Sequence, residues 1–494
     1  MKLEPKEIPL GEGFYVSESA AVANKLCQNV FPNYPETNAA STQQLFTRLG
    51  LNKLDSTGGS AVNRGLLVMA GTPYFVNANT LWAFNRTISA LGAEVFTLDN
   101  LGTIPGMGRV SMADSGTQLT IVVPGTNTAF VYSVSAGLLP ITDVDFIPSP
   151  ATVVNSVVFA SGVFVFSADK AIVFESDVND ALSYDSANFF IYGNARNDVI
   201  GLHEYNEQLY VFSKTNSAVY APTNLTELGS LFTKVQGYDF TKGLVSQFAI
   251  YDFGSTFIMM GQGFNETPKV YLFTGNGFEP ISTTSIEFFL ETYTDAELLD
   301  VFGYNYTYRG ETFAVFNLKN NTFKYCLKAS NLSGQKIWAE DKSENLANKS
   351  RLRINGLVTA YDRLICSDSE SGIIGELTED ALDDYGELIR YDFSVAPISG
   401  KNKTLRYRYL RMEIEAGLAT GTDELAVEMN YSDDGKVFLD SGWRTRECGL
   451  SGEHNRILSW SDLGQSRTPR TFRFRMTKPG KYRIIRLWVG VDGN

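Results

Sequence analysis

Seven strand openings recur along the middle of the chain, and no other feature of the sequence constrains the fold as tightly. They begin at Leu66 (LLVMA), Val110 (VSMAD), Val157 (VVFAS), Val199 (VIGLHEY), Phe248 (FAIYD), Val301 (VFGYNY) and Leu357 (LVTAYDRL), at intervals of 44, 47, 42, 49, 53 and 56 residues. Within each unit, short apolar and aromatic runs alternate with Gly, Asn, Asp and Ser clusters, the signature of strands joined by tight turns. One unit reads Leu202–Glu204, a turn at Asn206–Glu207, Leu209–Phe212, a turn at Asn216–Ser217, then Val219–Tyr220. Another reads Gly71–Phe75, a turn at Asn77–Asn79 and Leu81–Phe84. A third reads Thr312–Asn317, a turn at Asn320–Asn321, Phe323–Leu327 and, after a Gly-containing loop, Trp338. Several strands repeated every 40–50 residues mark a β-propeller. A lone blade cannot cover both its faces, so neighbouring blades bury each other. The sequence therefore predicts an all-β fold with a six- or seven-bladed propeller over residues 61–389. Identity between the units is weak, so a series of unrelated hairpins in one large sandwich is the alternative; the regular spacing favours the propeller.

The flanks read differently. Residues 1–60 are rich in Asn, Ser, Thr and Gly and predict an irregular N-terminal arm, with a short helix at Ser17 to Lys25. A helical insertion interrupts the repeats near 285–300: Ser285 to Leu290 has helical character, and Thr294–Asp295–Ala296–Glu297 has the form of a capping box. It is a contact element between molecules or a helix closing the propeller rim. The acidic run TEDALDDYGE, residues 378–387, ends the repeats. Beyond it, Phe472–Arg473–Phe474–Arg475–Met476 alternates strictly, with the apolar side chains on one face and the arginines on the other. Arg406, Arg408 and Leu410 oppose Leu405, Tyr407, Tyr409 and Arg411 in the same way, and Pro479–Gly480 marks a turn. Residues 390–494 predict a C-terminal β-sandwich of roughly six to eight strands.

Charge follows this division. The 494 residues hold 42 Lys and Arg against 55 Asp and Glu, a net charge of −13. Residues 390–494 contain 18 basic and 13 acidic residues, net +5; residues 1–389 contain 24 and 42, net −18. With a pI near 4.9 the chain does not coat nucleic acid. Four dispersed cysteines (Cys27, Cys326, Cys366, Cys448) form no C-x-x-C pair, which argues against a disulfide framework or a zinc site. MKLEPKEIPLGEG lacks the apolar core of a signal peptide, and Val153 to Phe166 is too short and polar to span a bilayer. The expectation is a large soluble protein made in a reducing cytosol.

Chemistry is sparse. The two histidines, His203 and His454, lie near no G-x-S-x-G elbow. A propeller glycan hydrolase needs only a convergent carboxylate pair. Asp143, Asp145, Glu175, Glu204 and Asp252 supply carboxylates whose convergence the sequence leaves open, so a glycan hydrolase or glycan-binding adhesin is the competing function. Ser432–Asp433–Asp434–Gly435 and Ser367–Asp368–Ser369–Glu370–Ser371–Gly372 miss the Asp-box spacing and read as turns. Asp177–Val178–Asn179–Asp180 lacks the Gly and distal Glu of a calcium loop. No phosphate-binding loop is present, and Gly106–Met107–Gly108 precedes a strand rather than a helix. The reading assigns no catalytic, cofactor-binding or metal residue and no enzymatic activity. It names Arg406, Arg408, Arg473 and Arg475 as a partner interface, with a solvated sheet face and nucleic-acid phosphate as the other readings of those arginines.

Three stretches carry a resemblance: Gly106–Met107–Gly108–Arg109–Val110–Ser111–Met112–Ala113, the run from Ser183 (SYDSANFF) through Val199–Ile200–Gly201–Leu202, and Pro268 to Glu297 (PKVYLFTGNGFEPISTTSIEFFLETYTDAE). The sequence resembles the tail hub, or nozzle, proteins of short-tailed bacteriophages, also called packaged-DNA stabilisation or head completion proteins. The likeness extends over most of the chain and is least in the arm. It implies a virion structural protein, made in the host bacterial cytoplasm and placed in the virion tail. There it forms a homo-hexamer below a portal-adaptor ring. Such a ring prolongs the DNA channel, retains the packaged genome, anchors tail fibres, spikes or a needle, and serves genome ejection. Double-stranded DNA passes without specific binding, no membrane insertion is involved, and no cofactor is implied.

Overall fold

The computed structural model describes residues 5–17, 24–36, 41, 43–193, 198–223, 229–344, 349–400, 403–415, 424–449 and 456–493. Each of the seven openings lies on, or directly before, the innermost strand of a sheet. These strands are Asn63–Met69, Ser111–Asp114, Val154–Ala160, Val199–Tyr205, Ile250–Phe253, Phe302–Tyr308 and Ile354–Ala360. Each packs against the next, and the seventh packs against the first, closing a circle. The chain forms a propeller of seven blades, numbered 1–7 in that order, each an antiparallel meander running outward from the axis. Between the two inner strands of blade 4, Asn206 and Glu207 take φ of 52° and 61°, as a two-residue hairpin turn with the native strand twist requires.

The apolar cores lie between blades. One cluster joins Phe75 and Phe84 of blade 1 to Ile365 and Ile374 of blade 7; another joins Tyr210 and Phe212 of blade 4 to Phe257 and Phe273 of blade 5. Close to the axis the innermost strands crowd one another, and small residues make room. In blades 1, 3, 4 and 7 a register step at Asn63/Gly65, Val154/Ser156, Val199/Gly201 and Ile354/Gly356 opens the inner strand. A Cβ on Gly65 would fall 2.7 Å from Val110 Cγ2, and one on Gly303 only 2.0 Å from Tyr251 Cε1.

Blade 7 is completed from the other end of the chain. Ile354–Ala360, Arg363–Asp368 and Ile373–Thr378 supply three strands, and Gly50–Ser56 pairs on Ile373–Thr378 as the fourth. The first 60 residues thus depart from the irregular arm expected. Val30–Asn33 and Gln44–Thr47 extend the sheet formed by Leu405–Glu415, Arg456–Ser461 and Arg483–Gly493, and Lys6–Glu7 pairs on its last strand. Cys27–Gln28 lies between the outer strand of blade 6, Trp338–Glu344, and Tyr391–Ser394, so one propeller blade and one C-terminal sheet are continuous. These segments are two to four residues long, too short to show a period of two, and long-range pairing dictates them instead. Residues 18–23 of the expected helix lie outside the described residues, and Asn24–Lys25 is strand, paired with Tyr15–Val16.

The C-terminal strands form two sheets packed face to face, with Tyr407 against Phe472 and Trp460 against Phe474. The chain crosses from one sheet to the other between Thr471–Met476 and Arg483–Gly493, at the Pro479–Gly480 turn. The register of Leu405–Glu415 on Arg483–Gly493 shifts twice, between Tyr407 and Tyr409 and between Glu413 and Ile414, and Tyr407, Leu410, Met412 and Ile414 are all buried.

The insertion consists of two helices, Thr284–Glu291 and Asp295–Leu298, and the second carries the reciprocal Thr294–Glu297 capping box. A third helix, Leu327–Ser333, stands where a loop was expected. Its cap residue Cys326 makes no side-chain capping bond. Glu311 of the adjacent strand caps it instead, accepting from the backbone N–H of Lys328 at 2.6 Å and of Ala329 at 2.9 Å. A cap donated from another strand leaves no local sequence signal.

Candidate functional surfaces and the axial cavity

The seven innermost strands enclose an axial cavity of about 370 Å³, lined by side chains from every blade. None of the lining residues is a carboxylate. His203 lines it, with Nε2 3.1 Å from Asp252 Oδ1 and its ring 4.9 Å from that of Phe257. Glu175 is buried between blades 3 and 4, where it accepts from the Ser230 hydroxyl at 3.0 Å and from the Leu231 N–H. That desolvation raises its pKa to about 7, against the pull of the two donors. Asp143 accepts from the N–H of Asp145 and Tyr184, and Glu204 from the N–H of Glu207. The carboxylates weighed as a glycan-cleaving pair are spread over turns and blade seams rather than gathered on the axis. His454 lies outside the described residues.

The remaining motifs have local structural roles. Asp177 to Asp180 forms a hairpin turn with Asn179 at φ 56°. Among the described residues no group of three or more His, Cys, Asp or Glu could hold a metal ion. Cys27, Cys326, Cys366 and Cys448 are free and buried. Asp368 is bound by both Arg353 Nε and Nη2 at 2.8 Å, and Asp434 closes a turn onto the N–H of Lys436 and Val437. The Gly106–Met107–Gly108 stretch wraps a buried arginine. Arg64 donates to the carbonyls of Gly108, Ala78 and Ile104 at 2.7, 2.9 and 3.0 Å, with Gly106 and Gly108 at positive φ.

The four C-terminal arginines do not form one patch. Arg473 and Arg475 lie on the outer face of one sandwich sheet, Arg406 and Arg408 on the outer face of the other. Arg473 grips the buried Asp392 at 2.7 and 2.5 Å, and Arg475 binds Glu428 at 2.6 Å while stacking over Trp443 at 4.0 Å. Arg408 binds Asp492 at 2.5 Å but keeps 46% of its side chain exposed, and Arg406 is exposed. Sequence reading missed the partners because Asp392 and Glu428 come from neighbouring strands far along the chain. Large apolar side chains stand open on propeller loops, Leu91, Met107 and Val144 each more than nine-tenths exposed. No described helix is long and apolar enough to cross a membrane.

The fold thus defines the class: an all-β propeller protein with an attached sandwich. Residues 6–382 match a family described as Bacteriophage P22 Gp10, beta-propeller, and the chain belongs to that family. The tail hub protein gp10 of Salmonella phage P22 is 21% identical over 325 residues, covering 64% of this chain and 67% of the relative. The family is one of structural phage tail hub proteins, not enzymes, and the chain is a structural component of the virion tail. Among solved structures, the WD40 β-propeller domain of Doa1 is similar at 10% identity and a TM-score of 0.38, covering 67% of this chain and 98% of that one. The computationally designed Ika8 protein is similar at 9% identity and a TM-score of 0.37, covering 66% and 100%. At these scores neither likeness constrains function.

Proposed function

We propose that the chain assembles as a hexameric tail hub, or nozzle, below a portal-adaptor ring. In that position it extends the DNA channel, helps retain the packaged genome, anchors fibres or spikes and serves genome ejection. Membership of the P22 Gp10 family across residues 6–382 carries this reading. The dimensions of the propeller support it. An axial cavity of about 370 Å³ cannot admit a duplex whose major groove alone is about 12 Å wide, so any DNA path runs between subunits. The net charge of −18 on residues 1–389 suits a wall that repels phosphate and lets DNA slide. The open Leu91, Met107 and Val144 loops and the 284–298 helices are available for ring contacts of the head-to-tail kind. The basic C-terminal domain docks a protein partner. Arg406 and Arg408 are the better test of this, because Arg473 also neutralises a buried carboxylate.

Native mass spectrometry of the purified full chain tests the assembly. A species of six times 54.6 kDa is expected. A strict monomer that binds or cleaves glycan would overturn the proposal in favour of a glycan-active propeller.

A further inference from the structure

Arg109 stands two residues before the innermost strand of blade 2 and lines the axial cavity. Its side chain crosses to the far blades. Nη2 donates to the backbone oxygen and to Oδ1 of Asn355 in blade 7, both at 2.8 Å. The guanidinium lies 3.8 Å from the ring centre of Phe302 in blade 6 and 5.5 Å from that of Phe248, beside blade 5. Among the described residues neither Nε nor Nη1 makes a hydrogen bond, and Arg109 makes no ion pair. A second guanidinium is close by: Arg351 Nη2 donates to the same Asn355 Oδ1 at 3.2 Å and lies 5.2 Å from the same Phe302 ring. Burial first, and then repulsion from Arg351, lower the proton affinity of Arg109; Asp300 opposes them from a distance.

Open guanidinium donors on an arginine that makes no ion pair, beside a cavity of small-molecule size, suit an anionic ligand. We propose that the mouth of the axial cavity binds a small oxyanion-bearing molecule, with the free Nε and Nη1 of Arg109 as its charged donors. The planar fork of Arg matches phosphate and carboxylate alike. Asn355, itself donating to the Asn63 carbonyl, and the Phe302 ring hold the fork in place.

Thermal melting of the full chain tests this at constant pH and ionic strength, with chloride replaced stepwise by inorganic phosphate in one arm and by citrate in the other. A saturable rise in Tm is expected in at least one arm for the native chain. Phosphate alone acting assigns the site to phosphates, and citrate alone to carboxylates. Arg109→Gln should weaken the apparent affinity about tenfold or more, and Arg109→Lys, which keeps the charge but loses the fork, by less. Should Arg109→Gln not fold, Arg109→Lys carries the comparison, together with the ³¹P linewidth of phosphate over the native chain. Identical anion responses in the native chain and the folded variant would overturn the proposal. So would the absence of a saturable response to either anion.

Discussion

Asp384→Ala should be among the most damaging single substitutions in the chain. Arg48 and Asp384 are each 1% exposed and meet at the seam of arm, propeller and sandwich. Arg48 Nη1 and Nη2 bind the two Asp384 oxygens at 2.9 and 2.5 Å. The other donors are filled by Asn29 Oδ1 at 2.9 Å and by the carbonyls of Leu49 and Lys342 at 2.7 and 3.1 Å. Ser343 adds a bond to Asp384 at 2.7 Å. The carboxylate outweighs the burial and holds Arg48 firmly protonated. Removing it strands a buried guanidinium, which costs about 3–5 kcal/mol, or roughly two to three and a half powers of ten in an equilibrium constant. Replacing both partners by apolar residues, Arg48→Met with Asp384→Leu, removes the stranded charge and should recover most of that loss. Urea unfolding followed by tryptophan fluorescence reads the effect, because Trp338 of blade 6 and Trp460 of the sandwich are fully buried on either side of the seam. A loss below about 1 kcal/mol for Asp384→Ala, or a double variant no more stable than that single one, would refute the reasoning.

Gly303→Ala should destabilise by about 1–3 kcal/mol, because its Cβ would meet the Tyr251 ring at 2.0 Å and that ring is tied to Val315 O; a melting curve unchanged from the native chain would contradict this. Glu175 has a folded pKa near 7 against about 4.3 when unfolded, so its contribution is fully present below pH 4.3, declines as pH rises to about 7 and is flat above. The decline is at most about 4 kcal/mol, and Glu175→Gln should flatten the stability–pH profile across that window; equal slopes in both proteins would exclude Glu175 as the cause. Glu311→Ala should melt the Leu327–Ser333 helix locally, with faster amide exchange at Lys328 and Ala329. Arg406→Glu with Arg408→Glu should reduce incorporation into tail particles while leaving the melting temperature of the purified chain within a few degrees, and full incorporation would remove that face as a docking surface.

The propeller was legible because its signal is repeated and local. Each innermost strand is a run of apolar residues between turn residues, and all seven announced themselves. The closure of blade 7 by Gly50–Ser56 was not legible. It joins segments more than 300 residues apart, and LNKLD carries no pattern that names its partner. Asp384 shows the same limit from the other side: it stands in an acidic run that reads only as the end of the repeats, yet Arg48 draws it into the interior. The alternation around Arg473 was read correctly, but its tie to Asp392 depends on strand order, which periodicity does not encode. Arg109 was visible only within a motif of resemblance; its position over the axis follows from ring closure.

Imaging the virion with an antibody or tag specific to this chain tests the structural tail role most directly. Cryo-electron microscopy of labelled particles should show the chain at the tail vertex alone, as a closed ring of six copies with the propellers arranged around a wider common lumen. Particles that lack the chain altogether, or carry it on the capsid surface away from the tail, would contradict that role.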